Sequence, residues 1–289
     1  MAAEGSLRAR LAGGGLLVLA LSGLGIGPLV AQEAPQALLD LAWEEYGLQA
    51  FANADRLFDR AADAQGATQV QRWQALLGQA FITQYQMPGR DPEAALEQYQ
   101  ELLDEVGQDS TWRGLILARL GDCHAELDPP QFAAARDYYR QALAVLPHQA
   151  ALAQETILRL LTTYMHKPDR GELARGLAEA QEWSERLQGS AFAGVFHGLR
   201  AEMALFLGDY SQLAEALDSQ YRAGINNISV KEMVLFQLAR LHEVELDDPD
   251  AAQRYYRQLA EEVPSSQKAH FARLRADQLG EEGRLSHGQ

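Results

Sequence analysis

The sequence predicts an all-α solenoid, a row of antiparallel helix pairs stacked side by side, and three observations predict it. The first is self-similarity. Ala-Ala-Ala-Arg-Asp-Tyr-Tyr-Arg-Gln-Ala-Leu at 133 to 143 returns as Ala-Ala-Gln-Arg-Tyr-Tyr-Arg-Gln-Leu-Ala at 251 to 260, and Ala-Ala-Leu-Glu-Gln-Tyr-Gln-Glu-Leu-Leu at 94 to 103 is a weaker copy. The second is periodicity: from Ala34 to Leu279 apolar residues recur three and four apart, with no strand-like alternation. The third is punctuation by Gly, Pro, Asp and Asn, which divides this stretch into paired segments.

Taken in order, helices are predicted at 34–48 and 51–65, the second carrying Ala54, Phe58 and Ala61 one turn apart. The pair 69–86 and 91–106 sets Leu77-Gly78 and Phe81 in its first helix and Ala95, Tyr99 and Leu102 in its second. The pair 110–126 and 130–145 repeats this with Leu120-Gly121 and His124, then Ala135, Tyr139 and Ala142 before Pro147. Segments 150–166, 171–187, 190–206 and 210–223 follow less regularly: Arg200 stands where an apolar residue is expected, and the helix around Trp183 fits poorly. The pattern recovers at 228–244 and 249–263, where Ala252, Tyr256 and Leu259 precede Pro264, and 266–280 closes the array. Asp91-Pro92, Asp128-Pro129-Pro130 and Asp248-Pro249 read as helix starts, since Asp accepts from free N–H groups and Pro has none to leave unpaired. Asp247, Asp248 and Asp250 lack the Gly and distal Glu of a calcium loop and read as capping residues.

These pairs resemble tetratricopeptide repeats, two antiparallel helices in about 34 residues. The resemblance implies six pairs and a capping helix, with the large–small step of the first helix and the small–aromatic–small row of the second both in the core. It also implies that the first helix of each pair lines a concave groove. In the better-matched pairs that projection brings Arg72, Gln79, Asp122, Glu126, Glu232, Arg240 and Glu243 to the groove, with Trp43 and Tyr46 at its first end. Pro264-Ser265-Ser266 running into Ala269, Ala272 and Leu274 is similar to repeats of exported bacterial envelope proteins.

Residues 1–31 stand apart. Arg8 and Arg10 precede an uncharged run from Leu11 to Ala31, the layout of an export signal cleaved before Gln32 or kept as a signal anchor. The expected organisation is leader 1–31, helical repeat domain 32–280 and polar tail 281–289. The whole chain carries −15, and the part after Ala31 carries −16, because the leader holds Arg8, Arg10 and Glu4. Such a surface repels phosphate backbones, so nucleic acid is a poor partner. Cys123 is the single cysteine, which excludes an internal disulfide and reads as a packing residue.

No catalytic signature is present: no His-Glu-x-x-His, no Gly-x-Ser-x-Gly and no phosphate-cradling Gly-Lys-Thr loop. His124 and His242 fall where the repeat sets a large packing residue. In each Tyr-Tyr doublet the second ring is expected in the core and the first against a neighbouring helix. The expected function is therefore a non-enzymatic scaffold or adaptor in the periplasm or cell envelope, without cofactor or metal, that grips a peptide or partner helix with some basic character. The alternative is an accessory subunit of an envelope assembly, secretion or cell-wall enzyme complex, anchored by the N-terminal segment. An enzyme on a helical solenoid, such as a cell-wall lyase, would need a further catalytic domain.

Overall fold

The computed structural model describes residues 34–86, 88–166 and 169–286. The leader expected at 1–31 lies outside the described residues. Thirteen helices follow one another: α1 (Pro35–Gly47), α2 (Phe51–Asp63), α3 (Gln69–Tyr85), α4 (Pro92–Val106), α5 (Ser110–Glu126), α6 (Phe132–Val145), α7 (Ala151–Thr163), α8 (Arg170–Arg186), α9 (Ala193–Leu207), α10 (Tyr210–Arg222), α11 (Ile228–Val244), α12 (Pro249–Glu262) and α13 (Gln267–Ser286). No strand occurs among the described residues. The last helix runs past the expected end at 280, so the beginning of the stretch read as a tail is helical.

Side chains fix most helix starts. Asp91 and Asp248 accept from the N–H of Ala94 at 2.9 Å and of Ala251 at 3.0 Å, each with proline in the first turn. Thr68 and Gln71 form a reciprocal capping box at α3. Gly208 adopts the left-handed conformation, φ 71°, that ends α9, and Asp209 then caps α10 on the N–H of Gln212. Asp128 does not act as expected. The two prolines that follow it stay outside the helix, and α6 begins at Phe132 behind Gln131, which makes no side-chain cap and meets His124 Nδ1 at 3.0 Å.

Each helix packs on the next, and first helices touch across pairs at α1/α3, α5/α7, α7/α9 and α11/α13. One continuous apolar core runs from α3 to α11, with smaller clusters under α1–α3 and α11–α13. Three buried tyrosines form a repeated element, Tyr99 and Tyr139 in the long core and Tyr256 in the cluster under α11–α13. Each gives its hydroxyl to a polar residue on the first helix of its own pair: Gln84 at 2.9 Å, Asp122 at 2.8 Å and Glu243 at 2.6 Å. The first rings of the doublets stack on histidines, Tyr138 on His124 and Tyr255 on His242. Tyr255 also donates its hydroxyl to Asp218 of the preceding α10.

Regularity fails in the middle. α7 meets α8 only lightly, whereas α8 lies along α9 and buries Leu173, Leu177, Ala180 and Trp183. Gly176 is where Tyr164 leans on α8: a Cβ there would lie 2.7 Å from the tyrosine's own side chain. Trp183, which fits the repeat poorly, turns its ring edge-on to His148 at 5.2 Å.

Gly121 shows why the large–small step matters. A Cβ at this position would lie 2.5 Å from the Tyr139 ring. Overpacking costs about 1–3 kcal/mol and alanine returns about 1 kcal/mol of helix propensity. Gly121→Ala is therefore expected to lower stability by about 1 kcal/mol in urea unfolding. A variant as stable as the parent would show that the ring shifts freely.

Candidate functional site

The first helices of the pairs, α1, α3, α5, α7, α9 and α11, form one layer, and its open face is the candidate groove. At its first end Trp43 and Tyr46 are half-buried in an aromatic cluster. The Trp43 ring lies edge-on to Phe58 at 4.9 Å and to Phe81 at 5.9 Å, and Tyr46 meets Phe51 at 5.6 Å. They shape the wall more than they display themselves. On α3, Arg72 is exposed with no ion pair among the described residues, and Gln79 is half-buried.

On α5 the structure builds a tighter arrangement than the sequence implied. Asp122 is buried, and both its oxygens are committed: Oδ1 accepts from Tyr139, and Oδ2 accepts from Arg119 at 2.8 Å and from Arg159 of α7 at 3.1 Å. Arg119 also stacks over Phe81 at 5.1 Å, while its Nε has no partner. Gln84 donates to Glu126 at 3.4 Å, yet burial pushes that carboxyl above its usual range. Burial, with Asp122 nearby, also raises the Tyr85 hydroxyl. Asp122 is therefore covered by the two arginines it orients.

Beside this cluster α5, α6 and α7 enclose a mainly apolar recess of about 490 Å³, whose lining includes Glu126, Phe132, Tyr139, Leu158, Arg159 and His166. Phe132 and His166 stack at its edge, with centroids 4.9 Å apart. Cys123, adjacent in sequence to Asp122, is fully buried, and burial pushes its thiol far above the reactive range.

At the other end Glu232 pairs with Lys268 at 3.0 Å, which holds its carboxyl low. Glu243 accepts from Tyr256 and from Arg275 Nε at 2.7 Å, and Arg240 pairs with it at 3.3 Å. Burial would raise the Glu243 carboxyl, but the hydrogen bonds from Tyr256 and Arg275 outweigh it and hold it below the ordinary range. The expected acids of the groove are thus largely neutralised from within.

Sequence reasoning missed Arg119, Arg159 and Arg275. It also missed the apolar side chains Val195, Leu205, Phe206, Met233 and Val244, which the exposed faces of α9 and α11 carry. The signal for the arginines was available in Arg119 and Asp122, three apart on one helix face. The apolar residues of α9 were obscured by the uncertain repeat phase around Arg200. Among the described residues no group of three or more His, Cys, Asp or Glu converges as metal ligands would. No helix among them is long and apolar enough to cross a membrane.

No protein-family model matches the chain, and no curated protein matches it. Solved structures do. RapI, in its apo form, shares 15% identity at a TM-score of 0.50 over 84% of this chain and 64% of that one. PilW, described as a widely conserved type IV pilus biogenesis factor, shares 17% at 0.48 over 83% and 99%. PilF of Pseudomonas aeruginosa shares 16% at 0.47 over 83% and 96%. At these identities the likeness concerns the fold alone. That fold is the tetratricopeptide-repeat solenoid, as the helix pairs and their tyrosine spine define it.

Proposed function

We propose that this chain is a non-enzymatic scaffold or adaptor, exported to the periplasm or cell envelope, that holds a peptide segment or a partner helix in its concave groove. The observation that carries this reading is the groove: a row of first helices whose open face holds polar, aromatic and apolar side chains, with no convergent nucleophile and base among the described residues. The leader at 1–31 supports export, and a body charge of −16 favours a partner with basic character over nucleic acid.

Within the groove the proposed residues divide by role. Arg72, Gln79 and Glu126 are available to a partner, while Trp43, Tyr46, Asp122, Glu232, Arg240 and Glu243 shape and charge the wall around them. Charge reversal at Asp122 or Glu243 would disturb the fold itself, so the test uses Arg72→Glu, Gln79→Lys and Glu126→Lys. Co-purification from the native envelope should lose the bound partner at least tenfold, with the circular-dichroism melt unchanged. An unaltered set of partners would move the site off this face. Mass measurement of the mature protein decides between a cleaved leader, with a start at Gln32, and a retained anchor.

A further inference from the structure

The groove does not have one character throughout. Its register can be read from helix to helix. Val195, Glu202, Leu205 and Phe206 of α9 occupy the same turns and face as Met233, Arg240, Glu243 and Val244 of α11, and as Leu115, Asp122, Ala125 and Glu126 of α5. On α5 the polar members of this face, Asp122 and Glu126, are engaged with their neighbours, and Leu115 and Ala125 are half-buried. On α9 and α11 its apolar members are open: Val195, Leu205, Phe206, Met233 and Val244 each keep between 46% and 63% of their surface exposed. α9 and α11 do not pack along one another as α7/α9 and α11/α13 do, which leaves the layer incomplete at this point. Large apolar side chains gathered on adjoining helices are characteristic of interaction surfaces, in contrast to singly scattered ones.

Backbone physics selects the kind of occupant. Both walls are helices, whose backbone groups are already paired internally, so an extended peptide would find no sheet edge to join and would desolvate its own N–H and C=O groups against aliphatic side chains. A helix brings those groups already satisfied and offers an apolar ridge. From Val195 to Phe206 the strip is about 16 Å long, roughly three turns of a partner helix. Charge selects its flanks. Glu202, Glu245 and Asp247 are exposed with no ion pair among the described residues, whereas Arg240 is held by Glu243 and Arg170 by the Leu207 carbonyl.

Resting on the groove reading above, we propose that the α9/α11 strip is the docking site for an amphipathic partner helix whose apolar ridge, about three turns long, is flanked by basic residues. The probe is an 18-residue designed peptide with a leucine face and lysine elsewhere, compared by fluorescence anisotropy with a leucine/glutamate version and a serine/lysine version. The leucine/lysine peptide should bind at least tenfold more tightly than either. Phe206→Ser and Val244→Ser, made separately because each is solvent-facing, should each weaken it about tenfold, while Glu97→Gln on the exposed face of α4 leaves it unchanged; Arg72→Glu with Gln79→Lys is the α3 comparison. Equal binding of the leucine/glutamate peptide overturns the assignment of basic flanks. If Phe206→Ser and Val244→Ser have no effect while the α3 variant abolishes binding, this inference fails and the groove reading stands. If neither set alters binding, or no peptide binds, both fail.

Discussion

Asp122→Ala is expected to be among the most destabilising single changes in the chain. The side chain is only 6% exposed and accepts from three donors on three helices: Arg119 on its own helix, Tyr139 on α6 and Arg159 on α7. Removing it leaves a buried hydroxyl without an acceptor and two guanidinium groups facing each other without their shared counter-charge. Breaking a buried charge pair from one side costs about 3–5 kcal/mol, in keeping with the price of orphaning both a charge and a hydroxyl. For a helical array of this size that corresponds to a fall in Tm on the order of 10 °C.

The comparison variant is Tyr139→Phe, which removes one neutral donor and is expected to cost about 1 kcal/mol. Combining it with Asp122→Ala should cost less than the sum, because the two residues share a hydrogen bond. If Asp122→Ala lowers stability by less than about 1 kcal/mol, the arginines must turn into groove water, and Asp122 would then be a displayed recognition group. An Asp122→Lys variant that loses its partner would therefore be uninformative unless its unfolding curve were measured alongside.

How far the sequence carried can be judged from particular residues. Helix existence and order were legible because the apolar period is strong and Asp-Pro starts at 91 and 248 are local chemistry. The tyrosine spine was legible because Tyr99, Tyr139 and Tyr256 recur with small residues one turn away. What was not legible depends on contacts between helices. Asp128 looked like a cap, but the two prolines after it stay outside the helix, and α8 looked like the partner of α7 although its apolar face packs on α9. The groove was misjudged for the same reason. Glu232, Glu243 and Asp122 carry negative charge in the sequence, but the cations that neutralise them, Lys268, Arg275 and Arg159, come from neighbouring helices.

Arg200→Met is expected to have a large effect of the opposite sign. The repeat pattern calls for an apolar residue at this position of α9, and Arg200 is 2% exposed there. Its one ion pair, at 3.1 Å, is with Glu215, whose side chain is 61% exposed and therefore well solvated. Its Nε has no partner. A surface carboxylate returns about 0–1 kcal/mol, whereas burying a guanidinium costs several kcal/mol. Methionine keeps the unbranched shape and leaves Glu215 in water, so no charge is stranded by the exchange. Stability is expected to rise by about 1–3 kcal/mol in urea unfolding at pH 7. His197, one turn earlier on α9, supplies an independent readout. Burial, and then the Arg200 charge, lower its pKa from the ordinary 6.5. A depressed folded-state pKa means that stability present above about pH 6.5 is lost as pH falls towards the lower folded value, since the unfolded chain takes the proton first. Arg200→Met removes the second cause and should flatten that loss between pH 6.5 and 5. A variant less stable than the parent, with the acid dependence unchanged, would show that Arg200 is satisfied in solution and belongs to the architecture of the irregular middle.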